Sequence, residues 1–353
     1  MRAPGSLPGK VPITERAPHI SVVVPTRNRY ELLLKVLEAL AGQEDVPSER
    51  VEVVVVVDGS HDDTAAELER WHSPFRMTVL SQPRAGVAAA RNRGWHQARG
   101  DLVLFLDDDV EPCPRLLAEH IAAHELEDKV VLGLVEQGPA DSDAWTWYDG
   151  WTMRRKYAAL ETKELPSGIH FGGNFSVARR RLEEVGGFDA RLPRSEHVDL
   201  GYRLAERGVR FVFVPAAKAV HYGHRDLESW LTAYRLDGRM DVALYRERGY
   251  AGGLATIIAS YHDRHWLNRA LLRVALHSRA LEPRLIRAST RIGTLAHSIQ
   301  LRPLSRVAMS ATANLVYWGG VRDGLRGNRG FWQAIGQTRS HEARAYRLRG
   351  HET

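Results

Sequence analysis

The sequence is short of cysteine and of long apolar runs, and both shortages limit what the protein can be. Cys113 is the sole cysteine among 353 residues, so the chain can form neither an internal disulfide nor a cysteine-based zinc site. No stretch reaches the roughly 18 consecutive apolar residues that a membrane-spanning helix needs. Residues 1–18 are rich in proline without an apolar core, which predicts a flexible arm rather than a signal peptide. We therefore expect a cytoplasmic protein.

Acidic residues become scarce toward the C-terminus. The chain carries 49 basic and 43 acidic residues, a net charge of +6, but from Arg269 onward arginine recurs while Asp and Glu are rare. Apolar residues are interleaved with these arginines at helical spacing. Two interpretations stay open for this basic region: it lies on an anionic membrane, at the inner face, or its apolar side packs on the rest of the chain or on a second subunit of a homodimer. No recognition motif supports a nucleic-acid partner.

Short apolar runs alternate with helical patterns in the first third of the chain. The run from Val51 to Val57 is almost pure valine, which is typical of a parallel strand buried on both faces. The alternation predicts an α/β fold with a mostly parallel, doubly wound sheet flanked by helices. The predicted strands are Ile20–Pro25, Val51–Val57, Met77–Ser81 and Leu102–Leu106, and the predicted helices between them cover Tyr30–Leu40, Asp62–Trp71 and Gly86–Arg99.

The middle of the chain continues with mixed patterns. Aromatic residues cluster between Trp145 and Tyr157, and they indicate either a helix packed on the sheet or a flat platform for a sugar. From Leu227 the pattern is helical. The further predicted elements are a helix over Pro114–Leu126 and strands over Val130–Val135, Phe171–Val177 and Val209–Val214, the last ending at Pro215.

Three consecutive carboxylates, Asp107, Asp108 and Asp109, follow the apolar run Leu102–Leu106. At the carboxyl end of a strand in an open α/β sheet they would stand where such folds place their ligands. Adjacent carboxylates repel one another unless a cation is present, and Mg²⁺ or Mn²⁺ prefers oxygen ligands. A solvated acidic turn explains the same three residues, so the flanking motifs decide between the two interpretations.

Four ordered segments between residues 19 and 225 accompany the acidic turn. The segments are Val24–Arg29, Val57–Thr64, Gly86–Asp109, and Gly172–Asn174 continued by Val185–Asp189, Asp199–Leu204 and His221. Together they resemble the inverting GT-A glycosyltransferases of the large family that includes cellulose, hyaluronan and chondroitin synthases. The resemblance implies a GT-A-like catalytic domain over 19–226, with a nucleotide-binding half (19–110), an acceptor half (111–226) and a helical basic extension (227–353).

The resemblance implies a set of residues that bind a sugar nucleotide. Asp58 would accept from the N–H of a uracil-type base, although an Asp-Gly pair is also common in plain turns. Thr26 and Arg27 precede a helix, where backbone N–H groups favour anions. Arg91 would bind the nucleotide, or alternatively pair with Asp101 at the surface. The full implied set is Pro25, Thr26, Arg27, Asp58, Arg91, Asp107, Asp108, Gly173 and Asn174, with Asp107 near the ribose and Asp108 a spacer or supporting acceptor.

The resemblance also implies a divalent cation, Mn²⁺ or Mg²⁺, held by Asp109 and bridging the two phosphates. His221 matches a histidine that completes the coordination in some relatives. A lone histidine at the end of a strand is otherwise often a packed, hydrogen-bonded residue. The ion would neutralise the charge that develops on the departing diphosphate.

The general base is the point at which this chain departs from the family. Relatives have a Glu-Asp pair there, and this sequence has Glu196-His197. His197 could be the base, because an ordinary imidazole titrates near neutral pH. Alternatively, Glu196 is the base and His197 orients it or the acceptor. In the third interpretation the chain binds nucleotide with little activity.

We therefore expect a metal-dependent, inverting glycosyltransferase that uses a nucleoside-diphosphate sugar, with UDP favoured, and an acceptor that is a glycan, a lipid-linked molecule or a small molecule. One alternative is a catalytically weak sugar-nucleotide-binding protein. The other is a sugar-nucleotide nucleotidyltransferase, which typically has a glycine-rich, lysine-containing loop after the first strand. Residues 25–29, Pro-Thr-Arg-Asn-Arg, contain neither glycine nor lysine.

Overall fold

The computed structural model describes residues 19–125, 128–138, 143–160, 165, 173–248, 253–278 and 280–337. The predicted arm at 1–18 lies outside these residues. The strands are β1 (Ile20–Thr26), β2 (Val51–Asp58), β3 (Arg76–Gln82), β4 (Leu102–Leu106), β5 (Val110–Pro112), β6 (Lys129–Gln137), β7 (Asn174–Ala178) and β8 (Arg210–His221).

Helices connect the strands and then follow them to the end of the described chain. Those among the strands are α1 (Tyr30–Ala41), α2 (Thr64–Arg70), α3 (Val87–Gln97), α4 (Leu116–His124), α5 (Ala144–Leu160), α6 (Arg179–Val185) and α7 (Glu196–Glu206). The helices after the last strand are α8 (Leu227–Glu247), α9 (Gly253–His262), α10 (Trp266–His277), α11 (Glu282–Ser298), α12 (Arg302–Gly324) and α13 (Asn328–Gln337).

One eight-stranded sheet, in the order β3-β2-β1-β4-β7-β6-β8-β5, forms the centre of the fold. Strands β3, β2, β1 and β4 are parallel, as the alternation of strands and helices predicts. Every residue of β2 is buried, so the valine run is buried on both faces of the sheet, as predicted. The α/β fold class and the flanking helices are confirmed.

The second half of the sheet is mixed rather than parallel. Strand β7 runs antiparallel to both β4 and β6, and β5 runs antiparallel to β8, so the doubly wound arrangement stops at β4. Residue patterns give the length and burial of a strand but not its direction. The prediction that the last strand ends at Pro215 was also wrong. Strand β8 continues to His221, because a bulge opposite Gly133 and Leu134 takes Pro215 out of the ladder.

Apolar residues fill both faces of the sheet. One face packs α1 and α4 against the sheet through residues such as Leu37 and Leu117. The other face packs α3 and α7 through residues such as Trp95 and Leu200. Successive valines of β2 therefore pack into opposite apolar cores, one on each face of the sheet. Packing on both faces fixes the carboxyl ends of the strands at one edge of the sheet.

The helices after β8 have an apolar core of their own, centred on Tyr261, Trp318 and Phe331. They also pack on α5, where Tyr148 of α5 lies against Trp230 of α8 and Met309 of α12. The aromatic cluster of α5 thus packs mainly against these helices, and only Tyr157 stacks over the sheet, on Phe213 at a ring-centroid distance of 5.4 Å. Within the described residues, we find no helix long and apolar enough to cross a membrane.

Candidate active site

Three of the predicted site residues lie side by side because their strands are neighbours. Thr26 ends β1, Asp58 ends β2, and Asp107 follows β4 directly, while β2, β1 and β4 are adjacent in the sheet. Their carboxyl ends therefore form one continuous edge. Pro25 is buried inside β1 opposite Val56 and does not reach a cleft.

The side chain of Asp58 is bonded to the loop between β3 and α3. Its Oδ1 accepts from the backbone N–H of Ala85 at 2.7 Å and from Gln82 Nε2 at 2.8 Å, and its Oδ2 accepts from the backbone N–H of Gly86 at 2.8 Å. Asp58 is buried. It therefore holds the loop that leads into the helix of Arg91, a role that the sequence did not indicate.

Arg29 bridges two of the three consecutive carboxylates. Its Nη1 donates to Asp109 Oδ2 at 2.7 Å and to Asp108 Oδ1 at 3.1 Å, and Thr26 Oγ1 donates to Asp108 Oδ2 at 2.8 Å. Burial raises the pKa of Asp108 to about 6, against the opposing pull of Arg29. Burial also acts to raise the pKa of Asp109, but the neighbouring His221 and Arg29 outweigh it and hold that pKa below its ordinary value.

Asp109 and His221 lie together at the end of β8, with His221 Nε2 3.5 Å from Asp109 Oδ2. Gly223 leaves the room they need, because a Cβ there would be 2.2 Å from Asp109 Oδ2. No group of three or more His, Cys, Asp or Glu side chains that could hold a metal occurs among the described residues. A carboxylate oxygen is the ligand type that Mn²⁺ and Mg²⁺ prefer, and the imidazole nitrogen beside it can add one further ligand, so the pair fits part of the coordination shell of such an ion.

Arg91 joins the acidic edge to the start of α7. Its Nη2 donates to Asp107 Oδ1 at 2.7 Å and its Nη1 donates to Glu196 Oε1 at 2.6 Å. The guanidinium is buried and lies 5.5 Å from the centre of the Phe188 ring. The alternative partner Asp101 is therefore not the one that Arg91 contacts. The charges of Asp107 and Glu196 raise the pKa of Arg91, although burial alone would lower it.

The pair Glu196-His197 begins α7 and splits into a buried and an exposed member. The side chain of Glu196 is 5% exposed and that of His197 is 30% exposed, with His197 Nδ1 3.4 Å from Glu196 Oε1. Burial would raise the pKa of Glu196, but His197 and Arg91 together hold it far below its ordinary range. Ser195, just before the pair, has a left-handed backbone with φ of 60°, which turns the chain into α7. Asp199, one turn further on, is fully buried and bonded to Arg203.

Two predicted nucleotide-binding residues have different surroundings. Gly173 lies against the acidic edge, where a Cβ would be 2.2 Å from Asp107 Oδ2, so only glycine fits. Asn174 instead points into the core. Its Oδ1 pairs with His120 Nε2 at 2.8 Å and its Nδ2 donates to the carbonyl oxygen of Ala217 at 2.9 Å. The structure gives Asn174 a role in joining β7, α4 and β8 rather than in lining the cleft.

Arg27 lies in the loop after β1, partly buried. Its Nε is shielded from solvent and has no hydrogen-bond partner among the described residues. A buried donor without a partner is uncommon in a folded protein. Arg27 thus carries one buried donor without a described partner in the loop that follows β1.

A cleft of about 720 Å³ opens beside Arg91, Asp107, Gly173, Glu196, His197 and His221. The opposite wall is formed by α5 and α8, two helices whose contact the sequence does not predict. Asp149 of α5 accepts from Trp230 Nε1 and from Tyr234 hydroxyl of α8, both at 2.8 Å. This wall of the cleft is therefore partly built by the helices that follow β8.

Two more carboxylates of α8 line the same cleft. Asp237 pairs with Arg194, the residue just before the turn into α7. Asp241 accepts from the hydroxyl of Tyr317 at 2.5 Å, and burial raises its pKa to about 6. In the sequence, the only indication of this wall is that Tyr234, Asp237 and Asp241 fall on one face of a helix. Their spacing does not predict which other element that face packs against.

Comparison with solved structures identifies the class of fold. The chain resembles a mannosyltransferase of Pyrobaculum calidifontis, solved with GDP-Man and Mn²⁺, with a TM-score of 0.53 and 19% identity over 98% of this chain and 83% of that one. It also resembles residues 1–349 of S. aureus TarS, solved with UDP, with a TM-score of 0.50 and 20% identity over 88% of this chain and 92% of that one. The fold is of the GT-A type.

Comparison of sequences identifies similar proteins. Residues 21–186, just under half of the chain, match the family described as Glycosyl transferase family 2. A validoxylamine A glucosyltransferase of Streptomyces hygroscopicus is 33% identical over 56% of this chain, and a pre-mycofactocin glycosyltransferase of Mycobacterium tuberculosis is 28% identical over 69% of it. The chain spans about half the length of these relatives, 50% and 48% respectively.

Proposed function

We propose that the chain is a glycosyltransferase that moves a sugar, with inversion, from a nucleoside-diphosphate sugar to an acceptor hydroxyl, with UDP favoured as the nucleotide. The observation that carries the proposal is the position of Arg91, which bonds to both Asp107 and Glu196. A donor at the acidic edge and an acceptor beside His197 would therefore meet in one cleft. The match to family 2 and the curated relatives named as glycosyltransferases support the same reaction.

His197 is our proposed general base. Glu196 is buried, bonded to Arg91, and has a pKa far below its ordinary range, so it holds a proton poorly and is shielded from an acceptor. His197 is more exposed and lines the cleft. With Nδ1 facing Glu196, Nε2 is left to accept the proton of the acceptor hydroxyl. Glu196 then orients the ring and stabilises the imidazolium that forms.

Asp109 and His221 are the proposed ligands of a divalent cation, Mn²⁺ or Mg²⁺. When bound, such an ion neutralises negative charge on the diphosphate leaving group. Arg29 bonds to Asp109 and would exchange that contact for a phosphate oxygen of the donor when the ion binds. We propose that Arg27, whose buried Nε has no described partner, adds a second guanidinium contact to the same diphosphate.

We also propose that residues 19–226 form the catalytic domain and that the helices from Leu227 onward complete its acceptor side. Trp230, Tyr234 and Asp237 of α8 face the cleft together with α5. Carboxylates accept hydrogen bonds from hydroxyl groups, and aromatic rings cover the apolar faces of sugars. These groups favour a polyhydroxylated acceptor, and validoxylamine A, named for one relative, is a reasonable first candidate to assay.

The test is a panel of UDP-sugars and GDP-sugars, each incubated with Mn²⁺ and with candidate acceptors, with release of nucleoside diphosphate as the readout. We expect release from one donor, increased by an acceptor and abolished by a chelator. Tight nucleotide binding without release from any donor would favour the alternative of a sugar-nucleotide-binding protein. Formation of a sugar nucleotide from a sugar phosphate and a nucleoside triphosphate would favour a nucleotidyltransferase.

A further inference from the structure

Helices α11 and α12 form an antiparallel hairpin that ends in a sharp turn. Ser289 Oγ lies 2.8 Å from Thr312 Oγ1, and Gly293 packs directly on Met309, so residues progressively nearer the turn face one another. At the turn, Gln300 has a left-handed backbone with φ of 60°, and the N–H of Leu301 donates to the carbonyl oxygen of Ala296 at 2.8 Å. The two helices are thus fixed as one unit.

The end of this hairpin exposes large aliphatic side chains instead of burying them. Each is between 48 and 64% exposed, whereas α12 beyond Val307 is almost entirely buried. Scattered apolar residues are normal on a surface, but six exposed aliphatic side chains on the two helix ends that meet at one turn indicate an interaction site. We call this group the hairpin tip, and it consists of Ile292, Leu295, Ile299, Leu301, Leu304 and Val307.

Arginines surround the hairpin tip, and acidic residues are absent from the sequence around it. Between Pro283 and Arg322 there is no Asp or Glu. Arg284, Arg287 and Arg291 are exposed along α11. Arg306 is exposed on α12. A partner for this surface must therefore offer both an apolar phase and negative charge.

We propose that the hairpin tip inserts into the interface of an anionic lipid membrane, with the arginines contacting the lipid phosphates. Both chain ends outside the described residues, 1–18 and 338–353, carry more basic than acidic residues, so neither complements the arginines. A second copy of the chain, docked tip to tip, would bring the two sets of arginines together. An anionic bilayer supplies the apolar phase and the charge at once.

The hairpin is connected to the cleft through α5. Arg302 lies 5.2 Å from the centre of the Trp147 ring, and Arg306 lies 5.1 Å from that of Trp151. The same helix contributes Trp145, Asp149 and other residues to the cleft. Binding through the tip would hold the acceptor side of the cleft close to the membrane surface.

The test is flotation of the whole chain with vesicles of phosphatidylcholine alone and of phosphatidylcholine mixed with phosphatidylglycerol. We expect binding to the mixed vesicles only, weakened by raising NaCl to about 0.5 M. The double variant Leu295→Ser/Leu304→Ser should lower the partition coefficient about tenfold or more, because its apolar anchors are lost. Arg287→Glu/Arg291→Glu should lower it by a similar factor, because its phosphate contacts are lost.

The matched control is Arg99→Glu/Arg207→Glu, which changes the net charge by the same amount at two exposed arginines far from the hairpin in the sequence. This control should bind the mixed vesicles as the wild type does. Each variant is first compared with the wild type by thermal melting and nucleotide binding, neither of which needs lipid. Absence of wild-type binding to the mixed vesicles would overturn the proposal, as would equal loss in both charge variants. A solution dimer that Leu295→Ser/Leu304→Ser dissociates would assign the tip to a second copy instead.

Discussion

A single guanidinium, that of Arg91, bonds to Asp107 at 2.7 Å and to Glu196 at 2.6 Å, although Asp107 follows β4 and Glu196 begins α7. Glu196 is buried, and without this contact its carboxylate would keep only the longer 3.4 Å contact with His197 among its charged neighbours. The contact therefore explains why an arginine in a glycine-flanked helix joins the acidic edge to the start of α7.

Replacing Arg91 by methionine should lower the free energy of unfolding by about 3–5 kcal/mol, because one partner of a buried ion pair is removed and the other is left uncompensated. Urea denaturation measures the change. Adding Glu196→Gln to this variant should restore part of the lost free energy of unfolding, because the buried carboxylate without its arginine is then replaced by a neutral amide. Arg93→Met, at an exposed arginine of the same helix, is the control and should be nearly neutral. Equal destabilisation by both single variants would contradict the assigned contact.

His197→Ala should lower the turnover number by about 10²–10⁴-fold while the affinity for the nucleotide stays the same, because a general base acts on the acceptor and not on the donor. Glu196→Gln should lower turnover less, since Gln still accepts a hydrogen bond from Arg91. Steady-state kinetics with the donor found in the panel provides the comparison. If only the Glu196 variant loses activity, Glu196 is the base and His197 is not.

The Asp241→Asn variant should be more stable than the wild type above pH 6 and equally stable near pH 4. Burial raises the pKa of Asp241 from 3.8 to about 6. The folded protein therefore retains a proton that the unfolded chain releases in this window, and stability falls as the pH rises through it. The gain at pH 8 should be of order 3 kcal/mol. Thermal melts at the two pH values test it, with the exposed Asp63→Asn as control; a gain of the same size at pH 4 would count against the explanation.

Asn174→Ala should destabilise the fold without weakening nucleotide binding. The variant removes the partner of His120 Nε2 and of the Ala217 carbonyl oxygen in a fully buried site, which should cost about 1–3 kcal/mol. Chemical denaturation and calorimetric titration with the nucleotide separate the two effects. A large loss of nucleotide affinity at an unchanged free energy of unfolding would instead show that Asn174 binds the nucleotide.

The parts of the fold that a sequence determines locally were predictable. The valine run of β2 and the apolar run of β4 are long enough to define buried strands, and the position of Asp107–Asp109 directly after β4 placed the acidic edge. The direction of β7 was not predictable, because side-chain alternation is the same for parallel and antiparallel strands. The antiparallel β7 is what brings Gly173 beside Asp107.

The missed residues depend on contacts between distant segments. Arg29 is one basic residue in a loop until the fold brings it to Asp108 and Asp109, about 80 positions away. Asp149 meets Trp230 and Tyr234 only because α8 docks on α5. Asn174 follows Gly173, which does approach the site, but its own position in β7 turns its side chain to the opposite face, toward His120.

The most direct test of the account is calorimetric titration of UDP and GDP into the wild type and into Asp109→Asn, each with Mn²⁺ and with a chelator. The account predicts that Mn²⁺ increases the affinity of the wild type for one nucleotide about tenfold or more, and that Asp109→Asn removes this increase while keeping its metal-free affinity. The exposed Asp63→Asn should behave as the wild type. Nucleotide binding that does not respond to Mn²⁺ in the wild type, or that responds equally in Asp109→Asn, would contradict the metal-dependent sugar-nucleotide site at this edge.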